Sequence, residues 1–299
     1  MSRLRRLVSD YPELLMVLVA AVIGLTVQTP LAWLASRQGI NALLIVLVFS
    51  TAVTIEPSAL RRVSAWWRPL VVTLLVGATA LPALSWLVSR VVASGSLRDG
   101  VMCVGLAPCE IASVATTAMA RGEAALSAGV LIGSTIITVA IAGPVLALEA
   151  GHTSVHPGHI ILNLIVVVAL PLAVGLAVGA ARPLQDRARR AALTVATVSV
   201  AALVALVAGE VHFTLGYLAV AGALLLFLSG SVTVGRLIGR TSPAPAASSV
   251  LLTTSMRDFA IAAGLATAAF GTAAAAPLGL YGVLVLLWGT GAAGWLRRQ

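Results

Sequence analysis

Long apolar runs separated by short polar breaks fill the chain, and ten of the runs approach the length a bilayer demands. An α-helix needs about 20 predominantly apolar residues to cross the hydrocarbon core. The runs fall at 13–35, 40–56, 69–89, 99–119 and 123–148, then at 159–180, 191–208, 213–235, 246–270 and 275–296. Lipid offers the backbone no hydrogen-bond partner, so a spanning segment must be a helix or part of a closed barrel, and these runs are too long for barrel strands. The pattern predicts an all-α, polytopic membrane protein with ten transmembrane helices. The apolar stretch behind the basic start, Met1 to Arg6, is read as a retained first helix rather than a cleaved leader.

Composition agrees with the pattern. Hydrophobic residues make up 60% of the 299 positions and charged residues 10%, with mean hydropathy +1.05. Soluble domains carry about a quarter charged residues, so this chain lacks the polar surface that water requires. The net charge of +9 would suit nucleic acid if it formed one face. Instead all nineteen basic residues are Arg, and most sit in the short breaks. With the N-terminus inside, Arg3, Arg5, Arg6, Arg61, Arg62, Arg68, Arg121, Arg182, Arg187, Arg189, Arg190, Arg236, Arg240, Arg297 and Arg298 fall on the inner side, and Arg37, Arg90 and Arg98 on the outer. Such asymmetry marks the cytoplasmic side, so a multi-pass protein of the cell (inner) membrane is expected, with both termini cytoplasmic. Trp33, Trp66, Trp67, Trp86 and Trp295 fall near predicted span ends, as interfacial aromatics do.

Ten spans divide five plus five near residue 150, and an odd number per half makes the second half run opposite to the first. Inverted repeats, here 11–149 and 156–296, are a common plan of secondary transporters, whose sites lie near the midplane on broken helices. The chain is read as a single transmembrane transporter domain, 1–299.

Ionisable groups inside spans are costly and by default mark function. Three lie deep: Glu110 in the fourth run, Arg257 and Asp258 in the ninth. The two runs are equivalent under the inverted repeat. Pro108 interrupts the fourth, with Glu110, Ser113 and Thr117 as a polar stripe behind it. In the ninth, Thr253 is spaced to share a face with Arg257, and Thr254 with Asp258. The competing structural reading makes Glu110, Arg257 and Asp258 a salt-bridge cluster that only locks helices together. Cys103 and Cys109 point in different directions on a helix and predict no disulfide. His152, His156 and His159 lie in a loop broken by Pro157 and do not form a metal motif. No phosphate loop or hydrolase signature appears, so neither enzyme nor metal site is expected.

The stretch Pro108–Ser127, PCEIASVATTAMARGEAALS, resembles the fourth-to-fifth helix region of the bile acid:sodium symporter family, where P-x-x-x-A-S-N leads into A-R-G-D-x-A-L-S. Thr51–Val63 and Thr253–Gly264 are similar in position and character. The resemblance implies ten helices, with helices 4 and 9 broken and crossing. It also implies a panel, 11–56 and 156–208, beside a core, 69–149 and 212–296. By position it implies substrate or ion contacts from Glu110, Ser113, Thr117, Ser127, Thr253, Thr254, Met256, Arg257 and Asp258. This chain departs from the family where ions are held: Val114 replaces an Asn, Leu131 a Thr, Thr253 a Glu, Arg257 a Gln and Gly77 a Gln. Hard cations need several oxygen ligands. A fixed charge about 4 Å from a sodium ion costs roughly 4 kcal/mol at an effective dielectric of 20. Sodium is therefore a doubtful cofactor. The resemblance extends more distantly to arsenite-efflux carriers, which pair a Cys with a Glu; Cys109 matches, but Thr253 removes the acid.

Together these readings predict a sodium-independent secondary transporter for a small organic solute. An organic anion is the expected cargo, with Arg257 attracting its carboxylate or standing in for a sodium ion. The lipid bilayer is the expected environment. A sodium-coupled organic anion symporter, a non-transporting sensor and an intramembrane enzyme using Glu110 and Asp258 are the alternatives.

Overall fold

The computed structural model describes residues 12–93, 95–149, 156–181, 185–211 and 216–298, and among them the regular elements are all helices, without a strand. Arg3, Arg5, Arg6, Arg182 and His152 lie outside the described residues. The helices are α1 (Pro12–Thr26), α2 (Gln28–Ser36), α3 (Gly39–Ala52), α4 (Pro57–Arg62), α5 (Trp67–Ser89), α6 (Gly95–Leu106), α7 (Ser113–Met119), α8 (Ala124–Glu149), α9 (Pro157–Leu164), α10 (Leu170–Ala181), α11 (Asp186–Gly209), α12 (Gly216–Gly239), α13 (Ala244–Ser255), α14 (Phe259–Phe270) and α15 (Ala276–Leu296).

Six stretches among the described residues are long and apolar enough to cross a membrane: Leu60–Ser89, Ala124–Glu149, Pro157–Ala181, Asp186–Gly209, Gly216–Gly239 and Thr272–Leu296. The other four runs are not continuous helices of spanning length. The first is bent by 100° between α1 and α2. Pro30 explains the bend, since its ring collides with the carbonyl four residues back and cannot continue α1. The second is the 14-residue α3. The fourth and ninth are interrupted between α6 and α7 and between α13 and α14. Pro171 has a milder effect, because the π turn Ile165–Ala169 just before it lets α9 and α10 run on as one stretch.

Large apolar side chains such as Val22, Leu75, Leu87, Ile136, Leu162 and Leu218 face outward, as a lipid-facing surface requires. Small residues bring helices close instead. A Cβ on Gly24 would lie 2.4 Å from the Ala205 carbonyl oxygen of α11, and one on Gly175 would lie 2.6 Å from the Ala52 side chain of α3. Helices α1, α2 and α3 pack with α11 and α10 packs on α3, while α5, α6, α8, α12, α13, α14 and α15 pack among themselves. Arg37 lies over Trp33, Arg68 over Trp67, Arg90 over Trp86 and Arg236 over Trp295, each within 5.6 Å of the ring. Such pairs suit span ends, where a ring meets lipid and a cation meets water.

Candidate functional site

Two interrupted helices meet at their breaks. Pro108 has no N–H and cannot extend α6, so the chain runs extended through Cys109. The second break, Met256–Asp258, lies antiparallel to it, pairing Cys109 with Arg257. Glu110 N–H donates to the Met256 carbonyl at 2.8 Å and Asp258 N–H to the Pro108 carbonyl at 2.9 Å. The neighbouring amides find side chains: Cys109 N–H donates to Ser134 Oγ at 3.1 Å and Arg257 N–H to the Tyr281 hydroxyl at 3.3 Å. Unwound backbone at membrane depth is tolerated when protein satisfies it in this way.

The charges at the crossing serve the exposed helix ends. Arg257 donates through Nη2 to the carbonyls of Gly105 (3.3 Å) and Ala107, at and just past the C-terminus of α6. A cation there meets the negative end of the helix dipole. Asp258 is the N-cap of α14, its Oδ1 accepting from Ile261 N–H at 2.8 Å. The Glu110 carboxyl stands against the amides of Ile111, Ala112 and Phe259, at the N-terminal ends of α7 and α14. The ion pairs among the described residues, Arg90–Glu149 and Arg189–Glu56, lie elsewhere. The deep charges thus cap helices individually, and the paired salt-bridge cluster considered from the sequence does not form.

A cavity of about 540 Å³ opens beside the crossing. Its walls come from α1, α3 and α11 on one side and from α7, α8 and α15 on the other, with Val17, Leu47, Val114, Leu131, Leu193 and Leu286 as apolar surface. Glu56, Arg62 and Arg189 line it as well, Arg189 Nη1 donating to Glu56 Oε1 at 2.8 Å. That hydrogen bond and the adjacent charge hold the Glu56 carboxyl below the usual carboxylate range. Glu56 is not the end of a second span; it precedes α4, beyond the end of α3, and pairs across to α11.

Of the nine residues singled out in the sequence, Glu110 alone lines this cavity. It is 3% exposed, and its Oε2 has no hydrogen-bond partner. Arg257 faces away, toward a much smaller void that it shares with Thr73, Gly77 and Thr254. The threonine hydroxyls and Arg257 Nε are all without partners there. Met256 packs on Gly289, and Thr253 bonds back to Ser249 O of its own helix at 2.7 Å. Ser127 donates to Thr117 Oγ1 at 2.9 Å, and Ser113 contacts Cys109 Sγ at 3.8 Å. The expected stripe and i,i+4 pairs are not helical faces, because Glu110 precedes α7 and α13 ends at Ser255. Tyr281, Ser134 and the carbonyls of Gly105 and Ala107 were missed. Tyr281 is a polar group inside an apolar run and could have been flagged, but nothing in the sequence marks the others. Among the described residues no cluster of His, Cys, Asp and Glu is arranged to hold a metal.

The sequence model of the sodium bile acid symporter family matches residues 41–219, more than half of the chain. The chain belongs to the sodium bile acid symporter family. The match contains the first break and the Pro108–Ser127 stretch, and it stops short of the second break with Thr253, Arg257 and Asp258. Membership makes this a multi-pass membrane protein of a transporter family. No curated protein matches the chain.

Proposed function

We propose that the protein is a secondary carrier that moves a small organic solute across the membrane by alternating access. Its solute site is the cavity of about 540 Å³. The position of that cavity carries the reading. It lies between α1, α3 and α11, which pack together, and α7, α8 and α15 beside the crossing. Movement of one group against the other changes which face the cavity opens to, with the crossing as the fixed element. The five-plus-five plan, with a panel of 11–56 and 156–208 and a core of 69–149 and 212–296, describes the same division. In the cell membrane both termini lie on the cytoplasmic, Arg-rich side. Binding without transport and intramembrane catalysis are less well supported, since the family is one of transporters.

Coupling is proposed to be independent of sodium. Arg257 already supplies a cation to the Gly105 and Ala107 carbonyls, beside Gly77, whose missing side chain leaves room for the guanidinium. Arg cannot lose its charge at working pH. The hydroxyl of Thr253 is committed to its own helix. A sodium-coupled organic anion symporter remains the second reading, favoured by family membership. Thermal unfolding of the purified protein in sodium chloride and in potassium chloride of matched strength separates the two. The expected curves coincide, and saturable stabilisation by sodium alone overturns the proposal. The carrier reading itself falls if a panel of labelled carboxylates, amines and neutral solutes gives no saturable flux into proteoliposomes.

A further inference from the structure

A second cavity, of about 570 Å³, lies on the Arg-rich face and shares no lining residue with the first. Its walls come from the turn just past α7, the end of α12, the first turns of α13 and the end of α15, all in the group of helices around the crossing. Among the described residues, Arg121, Arg236, Arg240 and Arg297 line it, and no Asp or Glu does. Glu123, the acid nearest to Arg121 in sequence, donates its backbone N–H to the Pro245 carbonyl at 3.1 Å but stays out of the lining. The ion pairs among the described residues are Arg90–Glu149 and Arg189–Glu56, so none of the four arginines has a carboxylate partner there. A cation at a helix C-terminus complements the dipole. That accounts singly for Arg236 in the last turn of α12 and for Arg240 and Arg297 just past α12 and α15. It does not account for their sharing one recess, where like charges repel, nor for Arg121. The turn that ends α7 puts Arg121 in the left-handed region (φ 57°), with Gly122 N–H bonding back to the Thr117 carbonyl at 2.9 Å. Glycine takes that conformation without steric cost and arginine does not, so the backbone holds a fourth cation on the recess under strain. The first turn of α13 opens on the same space with no side chain capping it, which adds the positive end of a helix dipole.

We propose that this recess binds the headgroup of an anionic phospholipid, its phosphate oxygens taking charge-assisted hydrogen bonds from the arginines. The guanidinium fork matches phosphate oxygens two at a time, and a negatively charged occupant relieves the mutual repulsion of four cations. The rim selects a lipid over a soluble anion. Arg236 lies over the Trp295 ring at 5.6 Å, Trp295 is 46% exposed, and Leu237, next to Arg236, is 53% exposed. A cation paired with an aromatic ring beside exposed apolar surface is the arrangement of a membrane interface. Acyl chains thus have a surface to lie on while the phosphate reaches the arginines, as in basic pockets between spanning helices on a cytoplasmic face. The proposal stands apart from the carrier reading, because the two cavities have no residue in common. One ligand here ties together the ends of α12 and α15, the start of α13 and the turn past α7, so its signature is stability.

The test follows the thermal unfolding midpoint of the full purified chain in detergent as lipid is titrated in. Dioleoylphosphatidylglycerol is expected to raise the midpoint saturably. Dioleoylphosphatidylcholine, inorganic phosphate and hexaglutamate, at matched ionic strength, are expected not to. Arg240→Gln/Arg297→Gln is expected to need about thirtyfold more phosphatidylglycerol for half the shift, at roughly fivefold for each arginine. Arg61→Gln/Arg187→Gln removes the same charge from exposed positions of the Arg-rich face outside the recess and is expected to respond as wild type. Native mass spectrometry of the wild type gives a second readout: one phosphatidylglycerol is expected to survive activation that strips phosphatidylcholine. Equal stabilisation by phosphatidylcholine, or an equal loss in both double variants, overturns a headgroup site built at this recess. Stabilisation by phosphate or hexaglutamate as strong as by phosphatidylglycerol overturns the assignment to lipid. Absence of both the wild-type shift and the retained phosphatidylglycerol overturns the proposal outright, whether or not the variants fold.

Discussion

Arg257 illustrates how a residue's environment changes the meaning of its charge. In sequence it is an unpaired cation in a span, and attraction of an anionic cargo is the natural expectation. In the structure it is 4% exposed and spends its guanidinium on the carbonyls of Gly105 and Ala107. Removing it orphans those carbonyls and leaves Glu110 and Asp258 without their only deep counter-charge. Arg257→Ala is therefore expected to cost about 3–5 kcal/mol, the usual penalty for breaking a buried charged arrangement. Arg257→Lys, which keeps a charge but loses the planar fork, is expected to recover part of the loss. The check is the unfolding midpoint of each purified variant; an Arg257→Ala protein as stable as wild type would return Arg257 to the role of a cargo ligand.

At the level of elements, the two breaks have different causes. Pro108 favours the first, because a helix that passes a proline loses a hydrogen bond and meets a clash, but Pro82 and Pro144 stand inside continuous helices, so the pairing of Glu110 N–H with the Met256 carbonyl helps to hold it open. No proline stands at Met256–Asp258, and that break is held by what it bonds to: Pro108 O, the Tyr281 hydroxyl and the cap from Asp258 to Ile261. Loss of that cap is expected to lower stability. Asp258→Ala is expected to destabilise by about 1 kcal/mol, the typical cost of an N-cap, while Asp258→Asn keeps the acceptor and most of the stability. Thermal unfolding of the two variants side by side reads the difference. Equal losses would mean that the negative charge, not the cap, is what the site needs from Asp258.

For the molecule as a whole, the distribution of Arg sets a direction that packing alone does not. On a background free of Cys103 and Cys109, a single Cys at position 187 is expected to be shielded from an impermeant maleimide in intact cells, and one at position 272 to be labelled. Labelling at 187 from outside would dismantle the ten-span arrangement with both termini inside. The six continuous stretches leave four runs whose passage through the membrane depends on bent, short or broken helices, so the labelling pattern bears most on those.

All-α class, membrane residence and the fourth- and ninth-run charges were legible in the sequence, because each follows from local chemistry. Apolar length demands lipid, a proline weakens its own helix, and a buried charge stands out against an apolar run. The family was legible from Pro108–Ser127 for the same reason, since a break and its exit are encoded within some twenty contiguous residues. The directions in which Glu110 and Arg257 point were not legible. Glu110 toward the cavity and Arg257 toward the end of α6 depend on contacts with segments about 20 to 150 residues away, whereas Asp258 caps α14 locally, three residues from Ile261. Helical periodicity could not supply those directions, because it stops at Leu106 and at Ser255, and beyond each break the pairing of two distant backbones sets where the side chains go. Sequence determined which groups are costly to bury; only the tertiary crossing decided which of their atoms find a partner, as Arg257 Nη2 and Asp258 Oδ1 do, and which do not, as with Glu110 Oε2, Asp258 Oδ2 and Arg257 Nε, because a buried polar atom acquires a partner only from whatever the fold brings within hydrogen-bonding distance.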